Sequence, residues 1–294
     1  ISSKGLVIDR LLHPVLGVTR DGKGALTAIG KGGKSESVIY IETDRADARA
    51  RVEIRDGIRK SLSDVRHAVA DWEELKAAMK ADVVLLPAED GALLAWLVDN
   101  NFTLLGHARF GGDGVLQNGL GIGRDRAESL LSEAARKRAL DHYRKGGEGL
   151  LVVKSNMLSS IHRRVPLDLL IAPLREGGKI AGLSIHAGLW TSAALGKAPE
   201  EIPILRQRLV ALQVKYRFDP EGHTGKALSH ALANLPHDIA ISIGESSLET
   251  LVLSAMSIAD RPRPMLEIVE PPLDRHLFAF VWLPRDELTT ARRV

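Results

Sequence analysis

The chain has 294 residues, 45% of them hydrophobic and 26% charged, which is enough apolar material for one or two cores. Its net charge of +3 is spread along the sequence, without the basic stripe and interleaved aromatics of a nucleic-acid binder. It has no cysteine, which excludes disulfides, thiolate metal sites and cysteine nucleophiles, and no apolar run approaches the roughly 20 residues of a membrane span.

In chain order, Leu6 to Arg20 reads as a strand interrupted at His13-Pro14, followed by a turn at "DGKG". Ser35 to Asp44 is the next strand. Ile54, Ile58, Leu62, Val65, Val69, Trp72, Leu75 and Met79 step by threes and fours, which predicts one long amphipathic helix. Asp71 with Glu74 is placed to cap a second helical segment. After Pro87 come a short helix ending at Asn100-Asn101, a strand "FTLLGHARF", a tight turn "GGDG" and a return strand "VLQNG". Asp125 to Lys145 reads as one helix, stopped by Gly146-Gly147. "EGLLVVKS" is a strand, and "PLDLLIAPL" with "IAGLSIHAGLW" forms a hairpin.

The stretch beyond is helical. Leu205, Leu209, Leu212 and Tyr216 share one face, and Leu228, Leu232 and Leu235 another. A helix opening at a Ser cap then runs to Asp260. A second hairpin follows, in which His276 to Leu283 is apolar enough for a strand buried on both faces, and a helix starts at Asp286. The expected fold class is α+β, with antiparallel sheets carrying helices on one face.

Several apparent motifs fail on spacing. "GKGGKS" (Gly30 to Ser35) lacks the first glycine of a phosphate loop, since that place is Ala28, and it enters a strand; a hairpin turn is the reading. "GLGIG" (Gly119 to Gly123) is not a dinucleotide fingerprint. Ser184 in "GLSIHAG" has His186 where a nucleophile elbow needs glycine. His223, His230 and His237 recur every seven residues, about 10.5 Å along a helix, too far for neighbours to share one metal. No catalytic, cofactor-binding or metal-ligating set emerges.

One stretch concentrates polar chemistry. "KSNMLSSIHRRVPLD" (Lys154 to Asp168) joins two apolar strands. Pro166 marks entry to the second strand, and Ser159-Ser160 offer local backbone hydrogen bonds. It is a polar connection with solvated Arg163 and Arg164, or a place where a guanidinium holds an anion. Lys154, His162 and Arg163 are the candidate ligand-binding residues.

Eight segments occur in an order that resembles the large bacterial NAD-dependent glutamate dehydrogenases. They are "LLHPVLGVTRD" (11–21), "VRHAVADWEEL" (65–75), "NNFTLLGHARF" (100–110), "SSIHRRVPLDLL" (159–170), "GLWTSAA" (188–194), "IPILRQRL" (202–209), "GHTGKALSHALANLPHD" (222–238) and "VWLPRDELTT" (281–290). The resemblance covers nearly the whole chain. It implies the N-terminal regulatory and assembly segment, with ACT-like and PAS-like units joined by a helical stretch. The implied divisions are 1–84 (later part of an ACT-like domain plus the long helix), 85–196 (PAS-like), 197–262 (helical) and 263–294 (start of a second ACT-like domain).

Both ends read as cut from a longer protein. The parent activity implied is NAD-dependent oxidation of L-glutamate to 2-oxoglutarate and ammonia in amino-acid catabolism, in the cytoplasm. The segment itself is expected to be non-catalytic and to hold no cofactor, NAD belonging to the parent. Its expected partners are the rest of the parent chain, further subunits of a homo-oligomer and an amino-acid effector, with no nucleic acid and no membrane. The alternative is an amino-acid or small-molecule sensing module not tied to catalysis.

His162 and Arg163 fall on one of the eight motifs. The sequence departs from the family's pattern at His107, where the family tends to carry an aromatic, at Arg164, where it tends to carry Pro, and near Leu167, where Tyr is common.

Overall fold

A computed structural model of the chain describes residues 5–30, 32–260, 263–273 and 276–284. Two compact units divide it, 1–63 and 64–294.

The first unit contains β1 (Ile8–Leu12), β2 (Val15–Arg20), β3 (Leu26–Ile29), β4 (Lys34–Ser37) and β5 (Tyr40–Thr43), followed by the start of α1 (Ala48–Ala70). The expected break falls at Pro14, which has no N–H to donate to a ladder. β1 pairs antiparallel with β5, and β2 lies between β3 and β4 in a separate three-stranded sheet. The stretch expected as one strand over Ser35 to Asp44 is therefore two, because the chain changes sheet at Val38-Ile39.

The hairpin reading of Gly30 to Ser35 is corrected too, since β3 and β4 flank β2 and do not pair with each other. Crossing the end of β2 brings backbones together. A Cβ on Gly17 would lie 2.1 Å from the Gly30 carbonyl oxygen, so only glycine fits there. Among the described residues of this unit the one buried hydrophobic is Val18, while Leu11, Leu12, Val15 and Tyr40 are exposed.

The long apolar stripe is two helices, α1 and α2 (Trp72–Asp82), broken at Asp71. Asp71 precedes α2 as expected, but its side chain makes no cap hydrogen bond. Its carboxylate instead accepts the Gly121 N–H at 2.7 Å and the Arg124 guanidinium. A tertiary partner has replaced the local one.

α3 (Ala88–Trp96) follows Pro87. Its end unwinds through Asn100, which has φ 62°, a value asparagine tolerates better than most residues. β6 (Phe102–Gly111) and β7 (Leu116–Gly121) come next. The single helix expected over Asp125 to Lys145 is α4 (Gly123–Leu130) and α5 (Glu133–Arg144). Extended backbone at Leu131 separates them, and Ser132 caps α5 through the Ala135 N–H.

β8 (Leu151–Leu158), β9 (Pro166–Glu176) and β10 (Lys179–Trp190) complete one antiparallel sheet in the order β7-β6-β10-β9-β8. α4 and α5 cover one face, with Ala127, Leu130, Ala135, Ala139 and Tyr143 against Leu169, Ile171, Leu183 and Ile185. Helices cover the other face as well. There, Leu75 and Met79 of α2 and Leu93, Leu94 and Leu97 meet Phe102, Leu104, Leu170 and Trp190. The strands are buried on both faces, which explains their nearly continuous apolar runs.

α6 (Ser192–Leu195), α7 (Leu205–Tyr216), α8 (His223–Ala233), α9 (His237–Ser242) and α10 (Glu245–Asp260) form the helical stretch. Leu205, Leu209, Leu212, Leu228 and Leu232 join the same core as α2 and α3. β11 (Met265–Val269) and β12 (Phe278–Trp282) pair as an antiparallel ribbon. β12 is not buried on both faces, because in a two-stranded ribbon Ala279 and Val281 point outward and Val281 is exposed. The helix start expected at Asp286 lies outside the described residues.

Candidate functional site

On the α2 side of the five-stranded sheet, polar side chains are buried in two places. Pairing sets the first. His107 on β6 lies opposite His186 on β10, and Arg109 lies opposite Ser184. Period-two geometry puts all four on the face beneath α2. The end of that helix drops Asp82 onto them.

Asp82, Ser184 and His186 are fully buried and His107 is nearly so. Asp82 Oδ2 accepts from Ser184 Oγ and from His186 Nε2, the latter at 2.7 Å. Ser184 Oγ is also 2.9 Å from His107 Nε2. Arg109 approaches Asp82 Oδ1 at 3.4 Å from the half-exposed rim. The two imidazoles stack, with centroids 4.7 Å apart.

Proton counting orients this network. Ser184 has one hydroxyl proton and gives it to the carboxylate, so it accepts from the N–H at His107 Nε2. His186 donates from Nε2. Each imidazole is then bare at Nδ1, and neither Nδ1 has a hydrogen-bond partner among the described residues. Burial, and then the His186 ring, pushes His107 down to about 3. Burial works to raise the Asp82 carboxyl, but the His186 and Ser184 hydrogen bonds and the Arg109 charge outweigh it and hold it below the usual range.

Ser, His and Asp meet here, yet not as nucleophile, base and orienter. The hydroxyl proton goes to the carboxylate, and a fully buried oxygen offers no approach to a substrate carbonyl.

The second cluster lies at the other edge of the sheet. Lys154 on β8 pairs in register with Asp168 on β9. Its Nζ donates to Asp168 Oδ1 at 2.6 Å and to Asp238 of α9. Burial works to lower Lys154, but Asp168 and Asp238 more than offset it, and the ammonium is held above its ordinary value. Burial pushes Asp168 up to about 7 against the pull of Lys154, with Asp238 adding to the rise. The cluster ties the edge of the sheet to the helical stretch.

Of the three candidate residues, Lys154 is thus engaged by two carboxylates. Arg163 Nη2 donates to the Trp190 carbonyl at the end of β10. The Trp190 backbone N–H in turn reaches Asp168, so three links join Arg163 to Lys154 in one network. His162 is exposed and sits at φ 66°. Ser159 closes the loop locally, its Oγ donating to the Ile161 carbonyl at 2.6 Å.

The residues that sequence reasoning passed over are Asp82, His107, Arg109, His186, Asp168 and Asp238. A signal existed for four of them and for Ser184. His107 and Arg109, then Ser184 and His186, are polar pairs two apart inside apolar strands, and Asp82 extends the stripe of Leu75 and Met79.

Two family models match the sequence. Residues 1–58 match "Glutamate dehydrogenase, ACT1 domain" and residues 202–261 match "Glutamate dehydrogenase, helical motif 1". NAD-specific glutamate dehydrogenases of Halomonas elongata and Pseudomonas aeruginosa are 27% and 28% identical, each covering 100% of this chain. That of Mycobacterium tuberculosis is 25% identical over 99% of it. Over its whole length the chain is similar to part of the large NAD-specific glutamate dehydrogenases.

The chain spans about a fifth of the length of the curated relatives it matches. The ACT1 match falls on the small first unit and the helical-motif match on α7 to α10. The five-stranded sheet and the first polar cluster lie between the two matched stretches, whereas Asp238 of the second cluster falls within the helical-motif match. No helix among the described residues is long and apolar enough to cross a membrane.

Proposed function

We propose that this chain is the non-catalytic, regulatory and oligomerising N-terminal segment of an NAD-specific glutamate dehydrogenase. The parent would convert L-glutamate, NAD and water to 2-oxoglutarate, ammonia and NADH in the cytoplasm. The observation that carries this reading is an ACT1 match and a helical-motif match, in that order, in a chain one-fifth the length of its relatives. The five-stranded antiparallel sheet between them supports a PAS-like unit over 85–196, and the β11–β12 ribbon supports the opening of a second ACT-like unit over 263–294.

The first unit supports assembly with the rest of the parent chain and with other subunits. One buried hydrophobic among the described residues is too little to hold a unit of that size, and Leu11, Leu12, Val15 and Tyr40 are left for another surface to cover.

The test is direct. The purified chain should form no NADH from glutamate and NAD. In the intact parent, replacing Leu11 and Leu12 by Asp should change the oligomeric state. Turnover by the chain alone, or an unchanged assembly, overturns the corresponding half of the proposal.

The amino-acid sensing reading rests on one feature of the first unit. A groove of about 670 Å³ there is lined by Arg45, Arg51, Arg55 and Arg59 with Ile54 and Ile58. Guanidinium beside aliphatic side chains suits a carboxylate on an apolar stem. Calorimetry with a panel of amino acids should give saturable heat that is lost in Arg51→Ala with Arg55→Ala. No heat from any of them removes this reading.

A further inference from the structure

We propose that Asp82, His107 and His186 form a binding site for one divalent transition-metal ion of the zinc type. Each of the three side chains can bring a ligating atom to within 4.8 Å of the other two. They come from three elements that the fold already holds together, the end of α2 and the facing strands β6 and β10. Two imidazoles and one carboxylate are a donor set suited to zinc, and weakly suited to magnesium or calcium, which prefer oxygen alone.

The geometry names the ligating atoms. Asp82 Oδ2 faces His186 Nε2 at 2.7 Å and Ser184 Oγ faces His107 Nε2 at 2.9 Å, so an ion among the three side chains would take Nε2 of each ring, in place of the hydrogen bonds those atoms make, and leave the ring proton on Nδ1. All three side chains are buried, so the donor set is already out of water.

The fit needs only small movements. Tetrahedral coordination at about 2.0–2.1 Å places ligand atoms about 3.4 Å apart, so contraction on the order of 1 Å closes the site. Ser184 Oγ, hydrogen-bonded to both Asp82 and His107, stands where it can hold a carboxylate or a metal-bound water in place. Among the described residues, Arg109 is the guanidinium or ammonium in contact with Asp82. Its approach to Asp82 is long, 3.4 Å, and its side chain is 38% exposed. It can turn to solvent as the ion enters, and the rim it occupies is the entry path.

Metal titration tests the assignment. The chain, stripped with a chelator, is titrated with Zn²⁺ and separately with Co²⁺. One equivalent should bind, Co²⁺ should show the visible bands of a tetrahedral site, and the unfolding temperature should rise with Zn²⁺.

His107→Phe should keep the stacked packing and the metal-free unfolding temperature, yet lose at least 100-fold in affinity. Asp82→Asn should weaken binding at least tenfold. X-ray absorption of the zinc-loaded wild-type chain should show two imidazole nitrogens, a readout that needs no variant to fold. No saturable binding, binding equal in His107→Phe and wild type, or a coordination shell without two imidazoles overturns the proposal.

Discussion

Asp168 shows how one side chain makes a structural contact depend on pH. Unfolded, its carboxyl releases a proton near pH 4, whereas folded, burial keeps the proton on to about pH 7. Between those values the folded state holds the extra proton. Its stabilising contribution is complete below about pH 4, declines as pH rises, and is gone above about 7. All four tryptophans lie in the second unit, so their fluorescence reports on the part that contains Asp168. The urea midpoint by tryptophan fluorescence should fall from pH 5 to 7.5 in the wild type and stay flatter in Asp168→Asn. A variant with the wild-type slope places that titration elsewhere.

Tyr143 belongs to the same scale. Its hydroxyl donates to the Ile171 carbonyl at 2.7 Å beneath the sheet. Tyr143→Phe leaves that buried acceptor short of a donor and should cost about 1–3 kcal/mol, measured by urea unfolding.

At the scale of elements, α2 is held by its apolar stripe and by the aspartate at each end. Leu75 and Met79 are fully buried against the sheet. Leu75→Ala should cost about 2–5 kcal/mol, the range for a large-to-small change in a core that cannot collapse. Asp71 ties the start of α2 to β7 and α4, and Asp71→Ala strands the Gly121 N–H and should cost about 1–3 kcal/mol. Both are checked by chemical denaturation, and an effect of Asp71→Ala below about 0.5 kcal/mol, the size of an ordinary surface change, contradicts the tie. The existence of α2 was legible from its spacing. A second segment opening at Asp71 was legible too, but the partners that hold Asp71 were not, because Gly121 and Arg124 lie some 50 positions away. Likewise the cap at Ser132 is written locally, but a continuous helical pattern over Asp125 to Lys145 hid it.

The whole molecule is uneven. The first unit has one buried hydrophobic among its described residues, and the second has two extensive clusters. Heating or urea should therefore unfold the chain in two stages. Far-ultraviolet circular dichroism should begin to change before tryptophan fluorescence does, and amide exchange should be fast over 5–63. Coincident transitions would show that the first unit draws on the stability of the second.

Much of this molecule was written in its sequence. The apolar runs of β6, β9 and β10, the stops at Pro14, Pro87 and Gly146-Gly147, and eight family segments in order were all legible, because each is a local pattern. The polar pairs His107 with Arg109 and Ser184 with His186 were visible as well, though without meaning. Only the tertiary structure decided that β6 lies beside β10, that Asp82 ends above both, and that Lys154 meets a carboxylate from α9. Periodicity tells which face a side chain takes. It is pairing between distant strands, and the helix packed over them, that decides which side chains share that face.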